Sequence, residues 1–159
     1  MSRKYLNGRW CVRCGKSDPT PYLRKNIKLC SENGLVLDIG CGNGRNSKHM
    51  QELGYEVDSL DMAGDFGIPM VLGKDPFPDK KYDIILANYI LMFLNDKERK
   101  KVFNQILKCS KDETILMIEM YPAKDANDYD LDEIVSYFEK LGWKKIRRSI
   151  DKCVLKKAA

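Results

Sequence analysis

Short apolar runs alternate with longer amphipathic stretches along most of the chain. The run at 34–39 leads into a glycine-rich loop, the run at 55–60 into Asp61, and the run at 82–87 into Asn88. Short apolar runs that end in this way are typical of strands buried in a parallel sheet. Four further runs complete a predicted seven-stranded sheet: 70–72, 114–120, 143–150 and 153–155.

Helical periodicity fills the gaps between these runs. Asn95, with Glu98 three residues later, resembles a capping box that opens a helix over the apolar stripe at 102–107. A second stripe covers 131–141, and a shorter helix follows the glycines at 40–44. Repeated strand-helix-strand units closed by a hairpin predict an α/β fold: a mostly parallel sheet with one antiparallel strand and helices on both faces.

Length and composition place the chain among single-domain proteins with a substantial core. It has 159 residues, of which 43% are hydrophobic and 32% charged. We predict no membrane span, because no apolar run approaches about 18 residues. Six cysteines at irregular spacings, after a polar and basic start unlike a secretion signal, predict a reducing, cytoplasmic location.

Positive charge is concentrated at the two ends of the chain. Residues 1–30 carry eight Lys or Arg and one acidic residue, and residues 140–159 show the same balance. Such flanks favour an anionic partner, although they are equally typical of solvated termini. We predict that residues 1–30, with a helix at 22–30, form a basic lid or accessory segment on a binding domain at 31–159.

A glycine-rich loop after the first apolar run is the candidate ligand site. Ligands of open parallel sheets bind at the carboxyl ends of the strands, where the strand order reverses. Gly40, Gly42 and Gly44 remove side chains there, so that a ligand can approach the backbone. Asp61, 17 residues after Gly44, is placed to accept hydrogen bonds from both hydroxyls of a ribose. The pattern implies a nucleoside cofactor.

Two cofactor classes fit a nucleoside site of this kind, a dinucleotide and S-adenosylmethionine. The dinucleotide motif G-x-G-x-x-G fails here, because Arg45 or Ser47 stands where its third glycine belongs. Asp38, just before the loop, would also repel a pyrophosphate, whereas it can meet the ammonium group of a methionine moiety directly or through water. The sign of the charge therefore favours S-adenosylmethionine.

Three segments resemble class I S-adenosylmethionine-dependent methyltransferases. Residues 36–46 look like motif I of this family, residues 57–62 like motif II, and residues 75–85 like the approach to its fourth strand. The similarity covers about residues 34–157 and implies a Rossmann-like fold. Residues 88–94 are closest to the small tellurite- and thiopurine-type methyltransferases.

The resemblance assigns site residues by position. It places Asp38 and the glycines at the methionine end of the cofactor, Asp61 at the ribose, and Met62 at the adenine or in the ordinary core. Two substrate-binding candidates come from position and charge instead: Tyr89, after a buried strand, would contact the substrate or simply pack, and Arg24, on the predicted lid helix, would pair with the cofactor carboxylate or remain in solvent. The cofactor set is Asp38, Gly40, Cys41, Gly42, Gly44, Asp61, Met62 and Asn88.

The expected reaction is an in-line displacement at a sulfonium methyl, for which alignment supplies most of the catalysis. We name no catalytic base from the sequence. Residues 88–91 lack the Pro-Pro-Tyr motif of nucleobase amino-methyltransferases, and no Pro-Cys serves cytosine C5, so these two DNA chemistries are disfavoured. The acceptor is expected to be a small molecule, RNA or protein, and the basic flanks favour an anionic one. The alternative is a catalytically silent subunit that only binds S-adenosylmethionine.

Cys11 and Cys14 form a C-x-x-C pair that resembles half of a zinc knuckle. A structural zinc site needs four ligands, and the rest of the chain offers scattered cysteines and the single His49. We therefore predict no metal site.

Overall fold

The computed structural model describes residues 17–62, 66–121 and 130–159 in full, and only the backbone of 2–6 and 9–13. The strands in these residues are β1 (Ser2–Leu6), β2 (Arg9–Arg13), β3 (Leu35–Ile39), β4 (Glu56–Asp61), β5 (Ile68–Pro69), β6 (Tyr82–Asn88), β7 (Ser110–Glu119), β8 (Trp143–Arg148) and β9 (Lys152–Lys157). The α-helices are α1 (Pro21–Asn26), α2 (Arg45–Glu52), α3 (Asp96–Cys109) and α4 (Leu131–Glu139).

Seven strands form the central sheet, in the spatial order β5-β4-β3-β6-β7-β9-β8. The strands from β5 to β7 run parallel, and β9 lies antiparallel to both of its neighbours. This arrangement confirms the predicted fold: a mostly parallel, Rossmann-like sheet with one antiparallel strand. The chain order reverses between β3 and β6, so the edge where these two strands end is the expected ligand position.

Alternate residues of each strand face two separate cores. In β3, Leu37 and Ile39 pack on the face that α3 and α4 cover, whereas Val36 packs on the face that α1 and α2 cover. Each fully buried apolar side chain of this size contributes about 1.5–3 kcal/mol to folding. By the same alternation, Asp38, which lies between Leu37 and Ile39, is on the face that α1 and α2 cover.

The predicted helix boundaries follow from local chemistry. The Asn95 side chain accepts a hydrogen bond from the Glu98 backbone at 2.9 Å, and the Glu98 carboxylate accepts one from the Asn95 backbone at 3.3 Å. The capping box before α3 is therefore confirmed. Asp130 caps α4 by accepting a hydrogen bond from Asp132 N, and Gly142 follows that helix with a φ of +91°.

Three local expectations are corrected. The strand predicted at 70–72 lies instead at Ile68–Pro69, and Met70 turns its side chain into the core directly after it. The helix predicted over 22–30 begins at Pro21, after the N-cap Thr20, and tightens into a 3-10 turn over Ile27–Leu29. The antiparallel hairpin of β1 and β2 was not predicted.

Across the described residues, no helix has the length and apolar character needed to cross a bilayer.

Candidate functional site

The polar residues selected from the sequence converge at the carboxyl ends of β3, β4 and β6. Asp38 lies opposite Ser59 of β4 and Leu86 of β6 in the parallel register. The glycine loop follows β3 directly, Asp61 ends β4 and Asn88 ends β6. The fold therefore brings the predicted set to the point where the strand order reverses.

The three loop glycines adopt left-handed backbone conformations, with φ values of +67°, +58° and +80° at Gly40, Gly42 and Gly44. A Cβ at Gly40 would lie 2.6 Å from Ile90 Cγ1, and one at Gly44 would lie 2.5 Å from the Phe66 ring. A Cβ at Gly42 would have no atom within 4 Å. Two of the glycines thus permit close packing of the protein itself, and Gly42 borders open space.

Asp61 fastens the glycine loop to the end of β4. The residue is 7% exposed, and its Oδ2 accepts a hydrogen bond of 2.6 Å from the Gly42 backbone N–H. The Cys41 N–H donates to the Leu60 carbonyl at 2.9 Å and holds the loop from the same strand. A carboxylate has about four acceptor positions, so its bond to Gly42 is compatible with additional bonds to ribose hydroxyls.

Asp38 is a buried carboxyl group beneath the loop. Its Oδ2 accepts a hydrogen bond of 2.6 Å from Ser47 Oγ, which also lies 2.7 Å from Ser59 Oγ. Burial raises the pKa of Asp38 to about 7; the Ser47 bond opposes the shift, the nearby Asp61 adds to it, and Arg45 weakly opposes it. A cation close to this group would favour its charged form, which is the property predicted for binding an ammonium group.

The structure distributes the remaining predicted residues around this centre. Met62 follows β4 and is 36% exposed. Cys41 is buried, and its thiol donates to the Phe66 carbonyl at 3.3 Å. Arg24 is exposed in the last turn of α1. Tyr89 follows β6 with a φ of +56°, a strained conformation for a residue other than glycine. Their roles toward ligands stay predictions.

Asn88 and Glu119 form a buried polar pair at the ends of two adjacent strands. They lie opposite each other in the register of β6 and β7. Both amide atoms of Asn88 and both carboxylate oxygens of Glu119 are buried without a hydrogen bond of good geometry, and Glu119 is 0% exposed. Groups of this kind normally have partners in folded proteins, so we expect a polar ligand or ordered water beside them.

Glu119 was missed in the sequence, although a signal for it exists. The apolar run of β7 ends in this acidic residue, just as β3 and β6 end in Asp38–Ile39 and Asn88. Ile115 and Met117 pack in the core on the α1 and α2 face, so Glu119 follows them on that face by alternation. The three polar side chains therefore share one face of the sheet.

Groups from several elements act on Glu119. Burial raises its pKa, a hydrogen bond from the Thr20 side chain at the start of α1 and the charges of Lys152 and Arg45 oppose the shift, and Asp151 adds to it. The buried hydroxyl of Tyr22 also has no hydrogen-bond partner. Burial raises the pKa of Tyr22 to about 12, with smaller contributions from Cys153 and Glu119, opposed by Arg147 and Arg148. The N-terminal helix thus reaches this part of the site.

Among the residues whose side chains are described, no three His, Cys, Asp or Glu side chains lie close enough together to bind a metal ion. The C-x-x-C pair is outside this test: only the backbone of Cys11 is described, and Cys14 lies outside the described residues.

The residues present fit S-adenosylmethionine. Open space beside Gly42 leaves room for a ligand against the loop backbone, and Asp61 presents a carboxylate at its edge. The orphaned amide of Asn88 adds polar atoms on the other side of β3. Asp38 supplies the negative charge that a methionine ammonium group requires.

Comparison with known proteins gives the same result. Residues 12–152 match the family described as a methyltransferase domain. Phosphoethanolamine N-methyltransferase of Plasmodium falciparum is 24% identical over 151 residues, which cover 84% of this chain and 56% of that enzyme. The chain thus spans little more than half the length of this relative.

Solved structures of methyltransferases share the fold. TehB from Haemophilus influenzae superposes with a TM-score of 0.73 at 17% identity, over 89% of this chain and 63% of that one. The Burkholderia thailandensis 1,6-didemethyltoxoflavin-N1-methyltransferase, solved with S-adenosylhomocysteine, gives 0.67 at 14% identity, over 87% and 76% of the two chains. Because the family model covers residues 12–152, most of the chain, the chain belongs to the S-adenosylmethionine-dependent methyltransferase family.

Proposed function

We propose that the protein transfers a methyl group from S-adenosylmethionine to an acceptor bound beside the ends of β6 and β7. The cofactor supplies a methyl group on a positively charged sulfur, which an acceptor atom can displace in line. The chain's own contribution is to hold the two molecules in that alignment and to keep water out.

The observation that carries this proposal is the bond between Asp61 and the glycine loop. Asp61 Oδ2 lies 2.6 Å from Gly42 N, at the one loop glycine that borders open space. The bond places a carboxylate and a bare backbone on the same rim of the cleft. A nucleoside cofactor needs both: hydrogen-bond acceptors for its ribose and a close approach to the backbone.

Each residue then has a part in holding the cofactor. Asp61 would accept hydrogen bonds from the ribose hydroxyls, and Met62 would cover the adenine. Asp38 would favour the ammonium group through charge, and Asn88 would bind the methionine moiety with its buried amide. Arg24, in the last turn of α1, would swing toward a ligand carboxylate.

The surface charge of β8 and the name of one relative suggest what kind of acceptor the protein binds. Lys144, Lys145 and Arg147 are exposed on the edge strand β8, so an anionic acceptor, either a small molecule or an RNA, would be attracted to this side of the protein. One relative is named for phosphoethanolamine, a small acceptor with a phosphate and an amine. Residues 1–30 would act as the lid that selects the acceptor. Among the described cysteines, Cys30, Cys109 and Cys153 are free thiols, and we propose a cytoplasmic site of action.

Labelled cofactor separates the enzyme from a silent binding subunit. The protein is incubated with S-adenosylmethionine labelled on its methyl group and with small-molecule, RNA and protein fractions of a cell extract. We expect label to enter one fraction, and the small-molecule fraction is favoured. Tight binding of the cofactor without transfer to any fraction would contradict the proposed activity and support the silent subunit.

A further inference from the structure

We infer that Glu119, together with Asn88, forms the acceptor subsite and that it binds an amine or ammonium group. The inference rests on the proposed function and names the chemical class of the atom that receives the methyl group. It extends the assigned site to a residue on a strand that the cofactor loop does not touch.

Position is the first support. Glu119 and Asn88 are register partners at the carboxyl ends of β7 and β6, on the sheet face that Asp38 shares. Asn88 lies one strand away from the end of β3, and Glu119 lies two strands away. A cofactor held at the β3 loop would therefore have Asn88 beside it and Glu119 on its far side, where an acceptor must lie.

Unsatisfied hydrogen bonding is the second support. Glu119 is fully buried, and neither of its oxygens makes a hydrogen bond of good geometry, although the Thr20 side chain acts on it as a hydrogen-bond donor. The amide of Asn88 has no hydrogen-bond partner. A buried carboxylate with so little hydrogen bonding destabilises the folded state. A ligand with two or three N–H donors would satisfy these acceptors at once, whereas a hydroxyl brings a single donor.

The surrounding charges leave room for a cation. Lys152 lies opposite Glu119 in β9, but its ammonium group bonds to Asp151 Oδ2 at 2.9 Å. Lys152 and Arg45 act on Glu119 as neighbouring charges, Asp151 opposes them, and the Thr20 side chain acts as a hydrogen-bond donor. Neither cation is hydrogen bonded to the Glu119 carboxylate, so an ammonium group would have no ion pair there to displace.

Aromatic rings border the same position. Tyr89 and Tyr121 have ring centroids 5.0 Å apart, and the Tyr89 N–H donates to the Glu119 carbonyl at 2.7 Å. Tyr121 is 51% exposed, so the ring pair extends to the surface, and Glu119 is one of the charges that act on the Tyr89 hydroxyl. An ammonium group over such rings gains cation–π attraction that a neutral alcohol lacks.

Glu119 also supplies what an amine nucleophile needs. An ammonium group must lose a proton before its nitrogen can attack. In that step an N–H bond breaks, the electron pair stays on nitrogen, and the proton forms an O–H bond with the Glu119 carboxylate. Burial raises the pKa of this carboxyl, which makes it a better proton acceptor.

Ethylammonium and ethanol are the probes, because they differ chiefly in the donor group and the charge. The full chain is saturated with S-adenosylhomocysteine and titrated with each probe, while the side-chain carboxyl signals of 13C-labelled glutamate are followed by NMR. We expect saturable binding of ethylammonium that shifts the Glu119 signal, with at least tenfold weaker binding of ethanol. Equal binding of the two probes, or no saturable shift with ethylammonium, would overturn the inference.

Two variants complete the test. E119Q should weaken ethylammonium at least tenfold and change the affinity for S-adenosylhomocysteine less than twofold. E113Q alters an exposed glutamate at the other end of β7 and should change neither affinity. Unchanged ethylammonium binding in E119Q would overturn the amine subsite alone, whereas a wild-type protein that fails to bind S-adenosylhomocysteine would overturn the proposed function.

Discussion

Asp61 is the residue on which the cofactor site depends most directly. It joins the end of β4 to the glycine loop and faces the position assigned to a ribose. Asp61→Ala should weaken binding of S-adenosylhomocysteine by about 1–3 kcal/mol, because a buried, charged hydrogen-bond acceptor is lost. Calorimetric titration measures the change. Asp79→Ala removes an exposed aspartate and should leave the affinity unaltered; equal affinities for both variants would refute the ribose contact.

Asp38 makes the stability of the free protein depend on pH. An unfolded aspartate loses its proton near pH 4, whereas Asp38 in the folded chain has a pKa of about 7. Between these values the folded state binds more protons, so the free energy of unfolding falls as pH rises. Asp61 and Arg45 are the charged groups that influence Asp38, and Ser47 is its hydrogen-bond donor.

Asp38→Asn removes this ionisation but can still accept the Ser47 bond. Relative to the unsubstituted chain, the variant should become more stable as the pH rises from 5 to 8. The gain is about 1.4 kcal/mol for each pH unit below the folded-state pKa of about 7. Denaturant unfolding of the ligand-free proteins at the two pH values measures the gain. A stability difference that is the same at both would show that Asp38 is charged throughout.

Residue identity explains which site groups could be predicted. Asp38, Asp61 and the loop glycines stand in a compact sequence pattern with a known chemical purpose. Glu119 has no such pattern, since it ends a strand far along the chain and gains meaning only from its register with Asn88. Its sparse hydrogen bonding is a property of three-dimensional packing, which a single sequence does not display.

At the scale of elements, the glycine loop combines a left-handed backbone with open space for a ligand, and substitutions can separate the effects of the two. Gly42 and Gly142 both have left-handed backbones and open space at the Cβ position. Gly42→Ala and Gly142→Ala should therefore each cost about 1–2 kcal/mol of stability through backbone strain.

The two glycines differ in whether the open space beside them lies in the proposed nucleoside site. Only Gly42→Ala places a methyl group against the bound nucleoside, so it should weaken S-adenosylhomocysteine at least tenfold, while Gly142→Ala should not. Thermal unfolding and calorimetry on the pair measure both effects. Similar cofactor affinity in the two variants would mean that the space beside Gly42 does not receive the ligand.

The long, periodic elements were predictable and the short ones were not. The capping box at Asn95 and the apolar stripe behind it specify α3 from local chemistry alone. The strand β5 has only two residues. Its apolar neighbours Met70 and Leu72 pack in the core, so the strand was predicted at 70–72 instead. The hairpin of β1 and β2 had a usable signal in Asn7-Gly8 between the two strands.

At the scale of the whole molecule, one sheet edge holds the chemistry while the chain ends hold the positive charge. Alternation along β3, β6 and β7 places Asp38, Asn88 and Glu119 on one face, and strand order places them side by side. The fold follows from periodicity and connection rules that act over the whole chain. The acceptor does not follow from these rules, so composition and periodicity alone could not identify it.

The central claim is that this edge binds S-adenosylmethionine. Calorimetric titration of the purified chain with S-adenosylmethionine, S-adenosylhomocysteine and a nicotinamide dinucleotide tests it most directly. We predict one molecule of either sulfur nucleoside per chain and no heat from the dinucleotide. Binding of the dinucleotide, or no binding of either sulfur nucleoside, would contradict the assignment of the cleft.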